Sequence, residues 1–175
     1  MTVMKIFISA ALISIFVFVA VSANAGPYED GVAAYERKDY VTAAKLMRVS
    51  AAQGHADAHY NLGRMYDKGQ GVTQDYKEAV KWYRLSADQG NADAQFNLGI
   101  MYENGQGVEE DYVRAHMWFS NAASSGDNGA QSSRDDVAKK MSRTQIEKAQ
   151  EAARLCVESK LKECEESRSW WMFWK

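Results

Sequence analysis

His55 and His59 stand four residues apart, the spacing at which two imidazoles on one helix face can share a metal ion. No third ligand stands at an obvious spacing, and an internal alignment places Asn91 and Gln95 at the same two positions. The chain does not maintain the pair, and no metal site is expected. Cys156 and Cys164 are the only cysteines. They lack the Cys-x-x-Cys spacing of a redox thiol pair, and an even count in an exported chain reads as a disulfide. Eight residues of unbroken helix would separate them by about 12 Å, too far for the bond, so the helix must end near Glu158 and the chain must fold back. Ser159 and Lys162 make a Ser-x-x-Lys of the kind β-lactamases use, with no accompanying Lys-Thr-Gly. Gly-x-Ser-x-Gly, a phosphate loop and His-Glu-x-x-His do not occur. No catalytic constellation forms, and no cofactor is implied.

The elements that must position these residues repeat. "AHYNLGRMYDKGQGV", beginning at Ala58, returns as "AQFNLGIMYENGQGV", beginning at Ala94, and residues 58–93 match 94–129 at 16 of 36 positions. Repetition of this kind means stacking, in which each unit covers the apolar face of its neighbour. The spacing predicts a first helix over 58–68, with Ala58, Asn61, Leu62, Met65 and Tyr66 on one side. Gly69-Gln70-Gly71 ends it, Asp75 caps a second helix over 76–89, and Gly90 closes the unit. Residues 112–124 copy that second helix. The small residues Gly63, Gly99, Ala79 and Ala115 permit close helix approach, while Tyr66, Tyr102, Trp82 and Trp118 fill the layers between. A degenerate earlier unit covers 26–57: Asp39-Tyr40 and Gly54 keep the period, but the Gly-Gln-Gly-Val loop is missing and the first turn is shorter. Residues 130–160 read as a terminal pair, with a first helix from about Ala130 and a second opened by a Ser142…Gln145 capping box and running to Glu158. Greater charge suits this pair to capping.

The 175 residues are 46% hydrophobic and 25% charged, with a formal net charge of −2. This balance argues against nucleic acid, which requires a basic footprint, and against electrostatic docking to anionic lipid. Residues 1–25 read as a signal peptide: Lys5, an apolar run from Ile6 to Val21, and Ala23-Asn24-Ala25 as the cleavage site, so that the mature chain begins at Gly26. An uncleaved membrane anchor is the alternative. Export predicts a periplasmic or secreted, bacterial protein in an oxidising compartment.

The pattern A-x-x-N-L-G-x-M-Y-x-x-G-x-G-V-x-x-D-Y-x-x-A-x-x-W, complete in both full units, closely resembles the Sel1-like repeat, a relative of the tetratricopeptide repeat with a longer inter-helix loop. The resemblance extends over about 28–158 and implies an all-α fold, a short α-solenoid whose concave face contacts a protein or peptide as an adaptor or scaffold. It implies no common reaction. Cysteine-rich members are described as binding penicillin and hydrolysing β-lactams weakly, but these repeats hold no cysteine. A weak β-lactam hydrolase and an envelope assembly or chaperone-like factor are the alternative functions.

In tetratricopeptide-like stacks, one stripe of the first helices lines the groove. Here it carries Tyr60, Arg64 and Asp67, with Phe96, Ile100 and Glu103 as counterparts, a mixture suited to peptide binding. The alternatives are a solvated helix face, or packing of Phe96 and Ile100 on the fourth unit. Asn61 and Asn97 are expected to bond the adjacent inter-helix loop, since a buried amide must be satisfied. His116 reads as a surface or interface residue. The tail, residues 161–175, ends in Trp170, Trp171, Met172, Phe173 and Trp174. Such a segment favours a bilayer interface or a groove on another protein, or else folds back on the solenoid's end.

Overall fold

The computed structural model describes residues 26–126 and 128–158. Among these, every regular element is a helix: α1 (Pro27–Glu36), α2 (Tyr40–Ala52), α3 (Ala56–Lys68), α4 (Tyr76–Ala87), α5 (Ala92–Asn104), α6 (Tyr112–Ala123), α7 (Asn128–Ala138) and α8 (Arg143–Glu158). Consecutive helices pair as α1/α2, α3/α4 and α5/α6, and each pair packs on the next through α2/α3, α4/α5 and α6/α7, making the expected all-α solenoid. The helix bounds move slightly from expectation. α3 begins two residues early, at Ala56, with His55 in the N-cap position, while α5 begins at Ala92, where the close of the preceding unit at Gly90 places it, capped by Asn91. α4 stops at Ala87 and α6 at Ala123, and α7 begins at Asn128.

Local chemistry accounts for the starts and stops. Asp39, Asp75, Asn91 and Asp111 each accept backbone N–H bonds at a helix start, satisfying donors the helix leaves unpaired. Ser142 and Gln145 form the reciprocal box: Ser142 N–H donates to Gln145 Oε1 at 2.8 Å, and Gln145 N–H to Ser142 Oγ at 3.3 Å. α3 and α5 end in left-handed Gly69 and Gly105.

The core is layered with the same period. Leu62, Met65, Tyr83, Leu98, Tyr102, Trp118 and Phe119 are all buried. The glycines in the middle of α3 and α5 let an aromatic ring of the partner helix lie on the backbone. A Cβ at Gly63 would meet the Tyr83 ring at 2.5 Å, and one at Gly99 would meet Phe119 at 2.5 Å. The terminal pair departs from the pattern, for α7 and α8 both pack on α6. Trp118, fully buried, thereby differs from its counterpart Trp82, which is half-buried.

Gly71 and Gly107 hold successive pairs in register. A Cβ on Gly71 would lie 2.0 Å from the Tyr40 carbonyl oxygen, and one on Gly107 2.4 Å from that of Tyr76. Each inter-helix loop therefore rests its backbone on the start of the preceding unit's second helix. The α1–α2 turn is four residues shorter than the loop after α3, and it places Lys38 at φ 64 instead of glycine. Among the described residues no earlier second helix exists for a longer loop to rest on.

Two buried histidines are held neutral. His59, 6% exposed, stacks on Trp82 at 5.7 Å and accepts from Gln89 Nε2 at 3.1 Å on Nδ1. His116, 3% exposed, lies under α7 near Arg134 and Asp135, an interface position. Burial pushes both imidazoles below their ordinary value.

Gly107→Ala should lower stability by about 3 kcal/mol or more, since left-handed strain adds to a backbone collision. Gly126→Ala, at φ 91 with nothing within 4 Å, should cost only about 1–2 kcal/mol. Urea unfolding of both variants checks the contrast. The histidines predict acid sensitivity. Above pH 6.5, the ordinary imidazole value, they are neutral both folded and unfolded. As pH falls below it, the unfolded chain takes up protons that the fold resists, so stability drops. Melting temperatures between about pH 7.5 and 5.5 should decline, and should decline less in His59→Gln/His116→Val, whose new residues are those at the equivalent positions 95 and 80.

Candidate interaction surface

The first helices lie side by side, and their facing stripes form one continuous surface. Asn61 Nδ2 on α3 donates to the Tyr28 hydroxyl on α1 at 3.4 Å, and the Asn97 amide on α5 stands near the Tyr60 hydroxyl on α3 and opposes the rise of its pKa. For Asn61 the expected bond to its loop is thus replaced by a bond to the tyrosine of the preceding first helix. Tyr28, Tyr60 and Phe96 are equivalent once the shorter first loop is counted, as are Gly31, Gly63 and Gly99. Phe96 has no hydroxyl to accept a bond, and Ser133 stands 36 residues after Asn97. Burial, followed by the Asp57 charge for Tyr28 and the Asp93 charge for Tyr60, raises both phenols above their ordinary value.

Arg64 occupies the centre of this surface. Its guanidinium carbon lies 5.7 Å from the Tyr60 ring centroid and 5.9 Å from that of Tyr35, a cation between two aromatic faces. The Tyr35 hydroxyl donates to Gln70 Oε1 at 2.7 Å, so the α3–α4 loop fixes one wall of the sandwich. Asp67, one turn further along α3, faces the buried Tyr83 hydroxyl. Desolvation raises its carboxyl above the usual range, against the pull of Lys68 and Arg64, and burial also raises the Tyr83 phenol.

The α5 end of the stripe is used differently. Phe96 packs on Phe119 at 5.5 Å and on the cluster of Ala122, Ala123 and Ala130 that joins α6 to α7. Ile100 packs on the main core. Glu103 pairs with Lys140 at 2.8 Å, and Lys140 lies over the Tyr112 ring at 5.3 Å. The structure therefore brings Tyr60, Arg64 and Asp67 together at the α1–α3 end, and ties Phe96, Ile100 and Glu103 into the junction with the terminal pair. Tyr28, Tyr35 and Gln70 belong to the surface but escape a reading that aligns units at a fixed 36 residues, because α1 stands only 32 before α3. The signal was present in the Gly31/Gly63 spacing.

The opposite edge carries a second periodic device. Arg48 on α2 donates from Nη2 to the Tyr66 hydroxyl at 2.9 Å, and Arg84 on α4 donates to the Tyr102 hydroxyl. Both guanidinium groups lie 5.9 Å from the ring they bond. Each second helix thereby clamps the first helix of the next unit. Among the described residues no group of three or more His, Cys, Asp or Glu is placed to hold a metal ion, and no helix is long and apolar enough to cross a membrane. Trp170, Trp171, Phe173, Trp174 and Cys164 lie outside the described residues, as do 1–25, so the tail, the Cys156–Cys164 bond and the signal peptide are not placed.

Comparison with known proteins is consistent with this geometry. The Sel1 repeat family model matches residues 23–55, 56–91 and 92–127. A solved structure of c5321, a protective antigen present in uropathogenic Escherichia coli strains displaying an SLR fold, is 32% identical and covers 77% of this chain with a TM-score of 0.71. A Sel1 repeat protein from Oxalobacter formigenes is 37% identical and covers 61% with a TM-score of 0.58. The chain spans only 30% and 43% of those two proteins' lengths. No curated protein matches it.

Tyr28→Phe should cost about 1 kcal/mol by removing the acceptor of the Asn61 amide, and the cycle with Asn61→Ala should return a coupling of about 0.5–1.5 kcal/mol. Chemical denaturation of the four proteins measures it.

Proposed function

The chain belongs to the Sel1 repeat family, and from that premise we propose that it is a non-catalytic adaptor or scaffold that binds a protein or peptide along its first-helix face, in the bacterial cell envelope. Proteins of this family generally act as protein-interaction scaffolds, and the repeat fold is typically a non-catalytic one. The observation that carries the reading for this chain is the Tyr35–Arg64–Tyr60 sandwich. Stacking on both faces pre-organises the guanidinium and leaves its N–H edge to meet a carbonyl or carboxylate, while the flanking rings offer apolar area with little conformational entropy to lose. The ligand would lie across α1 and α3, with an acceptor on Arg64 and an apolar side chain on Tyr35. Phe96, Ile100 and Glu103 would form the far end of the same stripe and position it.

The envelope setting rests on the sequence of residues 1–25, read as a cleaved signal peptide. A Cys156–Cys164 bond would then form on export and tie the end of α8 to the segment that follows. Cys156 is 1% exposed and packs against Asn121, so a bond there would join the core to the tail.

Peptides selected from a displayed library against residues 26–175, purified from the periplasm and checked by intact mass for a Gly26 start and a closed disulfide, should lose at least tenfold in affinity on Arg64→Ala, about 1.4 kcal/mol. Lys81→Ala, an exposed change on α4, should leave affinity unaltered. Equal binding by the Arg64 variant and the parent would move the site off this face.

A further inference from the structure

We propose that the aromatic end of this chain's own tail, Trp170 to Trp174, docks in an open cavity where the end of α6 meets the end of α8, with an indole N–H as the donor to its floor. The cavity is about 210 Å³, and Ala92, Gln95, Asn121, Ser124, Ser125 and Val157 line it. Its floor is rich in acceptors. Asn121 is 3% exposed; its Nδ2 donates to Cys156 Sγ at 3.1 Å, but its Oδ1 has no hydrogen-bond donor among the described residues. Ser124 and Ser125 spend their hydroxyl protons on the carbonyls of Asn121 and Ala122, at 2.6 Å each, which leaves their oxygens as acceptors. The C-terminal carbonyls of α6 add negative potential. The rim is apolar, with Val157 53% exposed. A fitting occupant has an apolar body and a single N–H donor, which describes a tryptophan side chain.

The position of Asn121 in the repeat sharpens the point. Its counterparts are Leu85 and Val49, both apolar and exposed, so a polar side chain enters this position only where α8 covers it. The described residues also end here. Val157 is on the rim, and eleven residues separate Glu158 from Trp170, an extended reach of about 40 Å. So short a tether keeps the tail at high effective concentration over the cavity. A Cys156–Cys164 bond would turn the chain back across α6 and shorten the tether further. This site is separate from the first-helix face, and neither proposal depends on the other.

The test is two-dimensional proton–nitrogen NMR of residues 26–175 beside a variant ending at Glu166. Truncation should shift the amide signals of Gly90, Gln95 and Ser125, and one Trp→Phe change among Trp170, Trp171 and Trp174 should reproduce most of that shift. The protected indole N–H should exchange with solvent at least tenfold more slowly than the other tail indoles. Ser125→Leu, an exposed change that fills the cavity, should abolish the difference. Unmoved pocket amides on truncation, or three tail indoles exchanging alike, would overturn the proposal. Protection that vanishes on tenfold dilution, or arises only with added lipid vesicles, would also overturn it, assigning the tail to a second copy or to a bilayer.

Discussion

The backbone contact at Gly71 and Gly107 is the constraint on which the stack depends. A helix-start carbonyl or amide cannot be trimmed, so the distance from each loop to the preceding helix start is set by the absence of one Cβ. Once that distance is set, the other contacts between units fall at the same period. Arg48 reaches Tyr66 and Arg84 reaches Tyr102 on one edge, while Asn61 reaches Tyr28 on the other. The rings over Gly63 and Gly99 repeat the logic inside each pair, with the missing Cβ filled by an aromatic face. A solenoid held in this way is stable through nearest-neighbour interfaces, and each interface is a copy of the last.

Copies must end, and the two ends use different means. The first unit shortens its loop, joining Glu36 to Tyr40 through a tight turn with Lys38 at φ 64. The last pair abandons the Leu-Gly signature and lays both of its helices against α6. That choice buries Trp118 fully and replaces an exposed aliphatic position by Asn121. Polar groups buried at a terminal interface require partners, and Asn121 and Cys156 supply one bond to each other.

The same periodic geometry creates the chemistry of the first-helix face. Two tyrosines from adjacent units flank Arg64 because α1 and α3 lie close enough for their stripes to meet. Where the third unit presents Phe96 and Ile100, equivalent positions serve packing against the terminal pair. One stripe thus divides into a polar, aromatic end and an apolar end, and the division follows from which neighbour each helix has.

Much of the local structure was legible in the sequence. Asp75 as a cap, Gly69 as a stop, the Ser142–Gln145 box and the 36-residue period are decided within a few residues or by direct self-comparison. Partners across units were not legible. Asn61 bonds Tyr28, 33 residues away, and not its own loop. Phe96 meets the α6–α7 junction. His59 sits beneath Trp82, and α8 chooses α6. These contacts depend on the rotation and rise from one helix pair to the next, a property of packed volumes and not of spacing. Sequence therefore determined which helices form and that they stack, because caps, glycines and apolar period act locally. Tertiary structure alone decided which stripe residues meet, because that requires the distance between helices that are remote along the chain.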